Sequence, residues 1–540
     1  MIKRRILLSS AVLAGLGLGL VACDDDSDDS VAGSSAEVRL SSLSKLDQYE
    51  SKSEIVAYDP ATKAMFSIGA DNTLSIVDIS APEAVSLLRT VDLSEYGDGA
   101  QSVAVSGSLV AVAVAPSDSA AGRGVVVFFD TSGVHLQTVR AGYLPDMVTF
   151  SEDGALAIVA NEGEPSGDYK TDPEGSIGII DTNDFSYTEL PLNGALTAAA
   201  DGTAVRLGGT PSADQAKDLE PEYIAVSGDY AYVTLQENNA LAKVNLASKT
   251  VELIKSLGVK SYAADSGNTI DIEEDGEIAM QSFDGLYGLY MPDSIASVDI
   301  AGSTYLLTAN EGDGREYIYT SAAADEAACD AEDGDWDDEN AACEVISFID
   351  EEKISKLALA DSIAAQFADH NDLKVVTDLG KNAAGEYEAL YGYGARSFSV
   401  WDVDGDLVFD SGDETSRLIA QNAPDLFNQD EGEMDGRSGN KGGEPEALST
   451  GQVGDRYYAF IGLERQSVIL TYDITDPAAP TLVEYHDTGA EGNLSPEGMK
   501  FVSAEDSPNG QPLLLVAFEY GTDSAPQAVV VYQLVTESVQ

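Results

Sequence analysis

One pattern recurs five times along this chain, and it limits what the chain can fold into. A proline followed by an acid opens an apolar run, and a second apolar run follows and ends in glutamate. The copies read Leu144-Pro145-Asp146-Met147 closing at Asn161-Glu162, Glu220-Pro221-Glu222-Tyr223 closing at Glu237, and Met291-Pro292-Asp293-Ser294 closing at Asn310-Glu311. Two more read Glu444-Pro445-Glu446 closing at Glu464 and Ser495-Pro496-Glu497 closing at Glu519. Self-similarity at a period of tens of residues marks a repeated supersecondary unit. The apolar runs are short, and Gly, Pro, Asn and Asp punctuate them, as at Asp59-Pro60, Asp71-Asn72 and Ala81-Pro82. Short runs between turn residues are β-strands, so the unit is a meander.

The first meander runs Glu54–Tyr58, Ala64–Ile68, Thr73–Asp78 and Val85–Val91. Five more four-stranded meanders begin at Ser102, Asp146, Glu222, Ser294 and Ala447, and a seventh at Gly498 has only three strands before the chain ends. A spare strand at Val38–Leu43 can complete the seventh and close the ring, which removes the unpaired edges. The expectation is an all-β chain forming a seven-bladed β-propeller of four-stranded antiparallel blades, closed by the N-terminal strand and spanning residues 37–540. Two stretches interrupt the regularity. Lys255–Tyr290 joins blades four and five, and residues 311–395 form an insertion within blade five. A helix is expected there at about Glu351–Ala368, from the spacing of Ile354, Leu357, Ala358 and Ile363.

The start of the chain reads as an export signal. Lys3, Arg4 and Arg5 precede an apolar run from Ile6 to Leu20, so residues 1–22 form a signal peptide. Its end, Leu20-Val21-Ala22-Cys23, resembles the bacterial lipobox, which would leave Cys23 lipidated and the protein anchored to the cell envelope. Residues 23–36 are acidic and small and suit a flexible tether. Cys329 and Cys343 are then an even pair in an exported protein, and a disulfide between them is expected.

Charge narrows the partners. Against 94 acids stand 29 bases, a net charge of -65. Nucleic acid is excluded, because nothing here would neutralise phosphates. In a four-stranded blade the first two strands are antiparallel, so the start of one and the end of the next lie at the same end. Asp146, Glu222, Asp293, Glu446 and Glu497 should therefore meet Glu162, Glu237, Glu311, Glu464 and Glu519 at one mouth of the channel. Ten carboxylates held together repel one another unless protonated or bridged by cations. Such oxygen-rich sites suit a divalent cation, Ca²⁺ first, over softer metals. The structural alternative is that the Pro-acid steps only set turns. Arg315, Arg396, Lys441 and Arg465 are the cations nearby and the natural partners of any anionic group.

Other motifs are weaker. Asp333-Gly-Asp335-Trp-Asp337 with Glu344 resembles an EF-hand loop, but Asp338 stands where glycine is needed. Asp402-Val-Asp404-Gly-Asp406 reads as a hairpin turn. There is no Gly-x-Ser-x-Gly elbow, and His135, His370 and His486 are scattered, so a histidine-based triad or metal site is not expected.

Taken together, LPDMVTFSEDGALAIVANEGEPSGDY, DLEPEYIAVSGDYAYVTLQENNALAKV, YMPDSIASVDIAGSTYLLTANEGDGREY, NKGGEPEALSTG and SPEGMKFVSAEDSPNGQPLLLVAFE resemble the choice-of-anchor I family of exported bacterial proteins. That family is similar to the mesenchyme-specific cell-surface glycoproteins of animals. The resemblance implies a surface-anchored propeller; some relatives are labelled alkaline phosphatases, and the animal members are associated with calcium-rich mineral. The chain departs from the pattern at Gly436-Arg437-Ser438-Gly439-Asn440-Lys441, where more acidity is expected. The first functional expectation is a lipid-anchored envelope propeller that binds divalent cations and an extracytoplasmic ligand through its acidic mouth. The alternatives are a metal-dependent phosphoesterase at the same mouth and a purely structural or adhesive module.

Overall fold

The computed structural model describes residues 37–208, 214–337, 340–430, 432–522 and 525–539. Residues 1–36, where the signal peptide, the lipidated Cys23 and the tether are expected, and Asp338 lie outside them. Strands dominate, and they gather into consecutive antiparallel sheets that follow the chain, an arrangement of β-propeller type. We number the principal sheets in the order of their first strands.

Sheet one pairs Ile55–Asp59, Ala64–Ile68, Thr73–Asp78 and Ser86–Asp92, and sheet two pairs Gly99–Ser106, Leu109–Ala115, Arg123–Asp130 and His135–Tyr143. Sheet three holds Pro145–Phe150, Leu156–Asn161, Ser176–Asp181 and Tyr187–Pro191. Sheet four holds Ile224–Ser227, Tyr230–Leu235, Ala240–Asn245 and Thr250–Ser256, with the two-residue strand Leu196–Thr197 added parallel at its outer edge. Sheet five joins Ile295–Ile300 and Ser303–Asn310 to the distant Ser397–Asp402 and Leu407–Asp410. Sheet six is Pro445–Val453, Arg456–Leu463, Val468–Asp473 and Thr481–Asp487. Sheet seven takes three strands from the C-terminus, Asn493–Val502, Leu513–Gly521 and Ala528–Val539, and its fourth, Glu37–Glu50, from the N-terminus.

The sheets pack face to face because their inner strands are apolar on both sides. Leu109–Ala115 illustrates this. Val110, Val112 and Val114 join a core shared with sheet one, and Ala111 and Ala113 join one shared with sheet three. Period-two alternation with both faces covered gives a near-continuous apolar run. Shared cores also join sheets three and four, four and five, five and six, and six and seven. Sheets seven and one share another, around Val56, Met65, Leu513 and Val529. The first strand of each sheet lies beside the first strand of the next, and Ile55–Asp59 also touches Asn493–Val502.

The N-terminal strand is long and firmly held. It pairs with Ala528–Val539 from Glu37 to Glu50. Leu43 N–H donates to Glu484 Oε2 at 2.7 Å and Leu40 N–H to the Tyr458 hydroxyl at 3.0 Å, both on sheet six.

The two interrupting stretches pack on each other. Tyr262, Ile272 and Phe283 from the first share a core with Ile354, Ile363, Phe367 and Leu373 from the second. The helix expected over Glu351–Ala368 does not form. In its place stand a strand Glu351–Lys353, a 3-10 turn Ile354–Lys356 and one helical turn Asp361–Ala364. The reason is competition for backbone hydrogen bonds. Ala358 C=O accepts from Tyr387 N–H at 2.8 Å and Ala360 N–H donates to Tyr387 C=O at 2.9 Å, which holds the intervening chain extended. The longest helix among the described residues is Glu414–Asn422, whose Ile419 enters the core between sheets five and six. Cys329 and Cys343 form the expected disulfide. The insertion is fastened by Arg206, whose Nη2 donates to Asp350 at 2.6 Å and to Asp378 at 3.0 Å, in a nearly fully buried cluster. No helix among the described residues is long and apolar enough to cross a membrane.

Candidate functional site

The Pro-acid step is a β-bulge. In sheet three Pro145 pairs with Asn161 but Val148 pairs with Val159, so Asp146 and Met147 oppose one residue. The same slip occurs between Pro445 and Leu448 and between Pro496 and Met499. A bulge bends the strand and re-aims its side chains. The residue before the proline is left-handed at four of the five steps, with φ of 42° at Leu144, 43° at Met291, 48° at Glu444 and 54° at Ser495. Each such residue costs about 1–2 kcal/mol. Bulge and turn together set the acid at the end of the sheet where the second strand delivers its glutamate. Glu162 N–H closes the ladder onto Leu144 C=O at 2.9 Å, and Glu464 N–H onto Glu444 C=O at 3.0 Å.

Six of the ten expected acids, Asp146, Glu162, Glu222, Glu237, Asp293 and Glu497, line one cavity of about 570 Å³. The other four lie beside it. Glu311 and Glu464 join Glu444 in a cluster in which one carboxylate oxygen from each residue lies within 4.8 Å of the other two. Glu446 feels the charges of Glu497, Glu464, Glu311 and Asp293, and Glu519 acts on Glu497. The start of the blade-five insertion, Asp313 to Tyr317, forms one wall of the cavity. Its floor includes Met147 and Tyr223, which also line a second cavity of about 540 Å³ running along the first strands.

Crowding shifts these carboxyls upward. Burial raises Glu162 well above its ordinary range, and the charges of Glu164, Asp146, Glu220 and Glu237 add to it. Burial, then Glu237, Glu162, Asp293 and Asp146, do the same to Glu222. Burial and then Glu220 push Glu237 up to about 8. Asp146 rises to about 6 by burial, against a hydrogen bond from Gln101 that lowers it. The Tyr223 phenol is raised by burial and by Asp293, Glu497, Asp146 and Glu446, so four of the five step acids surround it. Glu222 Oε2, Glu237 Oε2 and Glu446 Oε2 are buried without a hydrogen-bond partner. A buried carboxylate oxygen left unpaired is costly and needs either a proton or a cation.

The four cations expected to hold an anionic group also make bonds within the chain, although Arg315 Nη1 and Arg396 Nε are buried without a hydrogen-bond partner. Arg315 Nε donates to Glu220 Oε2 at 2.9 Å and its Nη2 to Asp218 C=O at 2.7 Å. Arg396 donates to the carbonyls of Asp271, Ser438 and Asn440. Lys441 Nζ lies 2.5 Å from Asp313 and 3.5 Å from Glu311. Arg465 Nε bonds Glu444 at 2.7 Å and lies 3.3 Å from Glu464, while Arg437 takes the other oxygen of Glu444. The cluster of Glu311, Glu444 and Glu464 is thus neutralised by the chain's own bases, whereas the main cavity has Arg315 at its edge.

Acids that the repeat did not single out matter as much. Glu164, Glu220 and Asp313 line the cavity, as does Glu54. A signal existed for three of them. Glu220, like Glu444, fills the place just before the proline, and Glu164 and Asp313 share the loop Asn-Glu-Gly-acid. The Asp402–Asp406 stretch is a turn, as expected. Asp402 Oδ1 accepts from the N–H groups of Asp404 and Asp406, while Asp404 and Asp406 pair with Lys243 and Lys255.

The chain matches the family model described as "Choice-of-anchor I domain" over residues 54–477. It is 31% identical over 167 residues to Gigasin-3a of Magallana gigas, a match covering 27% of this chain and 59% of that protein. It is 28% identical over 244 residues to the mesenchyme-specific cell surface glycoprotein of Strongylocentrotus purpuratus, covering 41% of this chain and 30% of that one. The matches thus span less than two thirds of either relative. Among solved structures, a Myceliophteria thermophila Cps50 (Swd1) β-propeller domain aligns over 92% of this chain and all of its own, at 9% identity and a TM-score of 0.44.

Proposed function

The chain belongs to the choice-of-anchor I domain family, and from that premise we propose that it is an exported, surface-associated protein whose acidic cavity binds divalent cations, with Ca²⁺ as the favoured ion. In this reading the principal sheets are the blades of a closed seven-bladed ring, lipid at Cys23 holds the protein to the envelope, and the bound cations engage an extracytoplasmic ligand. One observation carries the cation assignment: buried carboxylate oxygens of Glu222 and Glu237 face the cavity without a partner. Hard oxygen donors with irregular spacing suit Ca²⁺, which accepts six to eight such ligands and tolerates variable geometry. A cation is favoured over an anionic ligand because Arg315, Lys441 and Arg465 are already engaged with carboxylates. Calorimetric titration of metal-stripped protein with Ca²⁺ tests the proposal. Heat of binding together with a rise in melting temperature is expected; neither heat nor a shift would remove it.

A further inference from the structure

The loop that ends the second strand is repeated almost exactly in sheets three and five, as Asn161-Glu162-Gly163-Glu164 and Asn310-Glu311-Gly312-Asp313. The backbone repeats with it. Gly163 and Gly312 are both left-handed, at φ 78° and 90°, and Asn161 and Asn310 are both fully buried. In both copies the loop bonds back to the turn before the first strand. Glu162 N–H reaches Leu144 C=O at 2.9 Å and Gly163 N–H reaches Tyr143 C=O at 3.2 Å, while Gly312 N–H reaches Met291 C=O at 3.1 Å.

What differs is the occupant. In sheet five the acids of this loop hold an ammonium group, with Lys441 Nζ at 2.5 Å from Asp313 and 3.5 Å from Glu311. In sheet three the same two positions, Glu162 and Glu164, open into the cavity. The charges that act most on Glu162 are all negative, those of Glu164, Asp146, Glu220 and Glu237. An independent sign of a missing ligand lies in the next sheet. Glu222 is 9% exposed, lines the same cavity and has an Oε2 with no hydrogen-bond partner, and Glu237 Oε2 is likewise unpaired.

We propose that Glu162 and Glu164, together with Glu222 and Glu237, form a Ca²⁺ seat, and that Lys441 is a built-in cation occupying the equivalent seat in sheet five. The inference rests on the cation-binding reading above and adds to it a location and an internal competitor. Four carboxylates call for more positive charge than one ammonium supplies, which favours a divalent ion. The one tight trio of acids among the described residues is Glu311, Glu444 and Glu464, so the sheet-three seat is looser. Loose, partly hydrated coordination is what Ca²⁺ accepts and Mg²⁺ resists. The cavity of about 570 Å³ leaves room for the ion's remaining waters, each taking about 30 Å³.

Calorimetric Ca²⁺ titrations of the full-length protein, E162Q/E164Q and K441M test the proposal. E162Q/E164Q is expected to weaken the tightest Ca²⁺ site about tenfold or more, because ligand charge sets affinity. K441M is expected to bind one more equivalent than the unaltered protein. Should the double variant fail to fold, E164Q alone carries the same expectation. If the unaltered protein binds Ca²⁺ and the carboxamide variants titrate identically, the seat lies elsewhere in the mouth, and this inference falls while the cation-binding reading stands. An unchanged stoichiometry in K441M overturns the competitor role. If the unaltered protein binds no Ca²⁺, the cation-binding reading itself falls. Spermine, titrated without calcium, overturns the metal assignment if it binds more tightly than Ca²⁺ and loses that affinity in E162Q/E164Q.

Discussion

Replacing Glu237 with glutamine should make the metal-free protein more stable, although it removes a side chain of the candidate site. Burial and the neighbouring Glu220 carboxylate raise Glu237 from an ordinary 4.5 to about 8. At pH 7 the folded protein therefore holds this carboxyl protonated, whereas the unfolded chain has released the proton. The cost of folding is up to 1.36 kcal/mol per unit over the interval from 4.5 to 7, about 3 kcal/mol. Neighbouring carboxylates share the protons, so one substitution recovers a part of this, about 1–3 kcal/mol. An unfolding entropy of about 2.1 cal/mol/K per residue over roughly 500 residues is about 1 kcal/mol/K, so the melting temperature should rise by about 1–3 °C. The sign with pH follows from the raised folded value. The penalty is full above pH 8, shrinks as pH falls, and is gone below 4.5, where both states are protonated. Differential scanning calorimetry in chelator, on both proteins from pH 4.5 to 8, reads it directly. E237Q should gain most at pH 8 and nothing near pH 4.5. Excess Ca²⁺ should reverse the order, since a ligand at free concentration L stabilises the folded state by RT ln(1 + L/Kd) and so favours the protein that binds it more tightly. Equal or lower stability of E237Q at pH 8 in chelator would mean that the buried Glu237 carboxyl carries no such penalty.

Three further outcomes are expected. His486 has Nδ1 3.4 Å from Glu484 and Nε2 3.3 Å from Glu491, the latter off line for a hydrogen bond. Burial alone would lower its pKa, but the two carboxylates outweigh it and raise His486 to about 9. Its contribution is complete below pH 6.5 and is lost as pH rises through 9; H486Q should therefore cost about 1–2 kcal/mol at pH 6 after allowance for solvent screening, and almost nothing at pH 10, in paired melts. R315M leaves Glu220 buried without its strongest partner and should cost about 3–5 kcal/mol in denaturant titrations. Removing the disulfide, which closes a loop of sequence separation 14, should cost about 3 kcal/mol locally. Limited proteolysis of C329S/C343S should then cut first within residues 311–395, while cores between the principal sheets stay protected.

The strands were legible because alternation survives in their sequences. Thr73–Asp78 keeps the bounds given by its turn residues, and the distant union of Ser303–Asn310 with Ser397–Asp402 followed from the same count. That six of the ten acids line one cavity was legible from strand polarity alone. What sequence could not give was which charge lies opposite which. Arg315, Lys441 and Arg465 were read as partners for an anionic ligand, yet the fold sets Glu220, Asp313 and Glu444 against them from separate segments. The bulges were hidden for a similar reason, since a slip of one residue shows only when the partner strand is in place. The helix over Glu351–Ala368 was misread because spacing records which residues bury and not which backbone groups are claimed by a distant strand at Tyr387.

Acids from the ends of sheets three and four meet in one cavity, and the ion should sit between them. A crystal structure of the protein grown with Tb³⁺ in place of Ca²⁺ tests it most directly. An anomalous peak is expected inside the cavity, coordinated by Glu162 or Glu164 and by Glu222 or Glu237. A peak confined to the outer surface, or these acids divided between opposite faces, would contradict it.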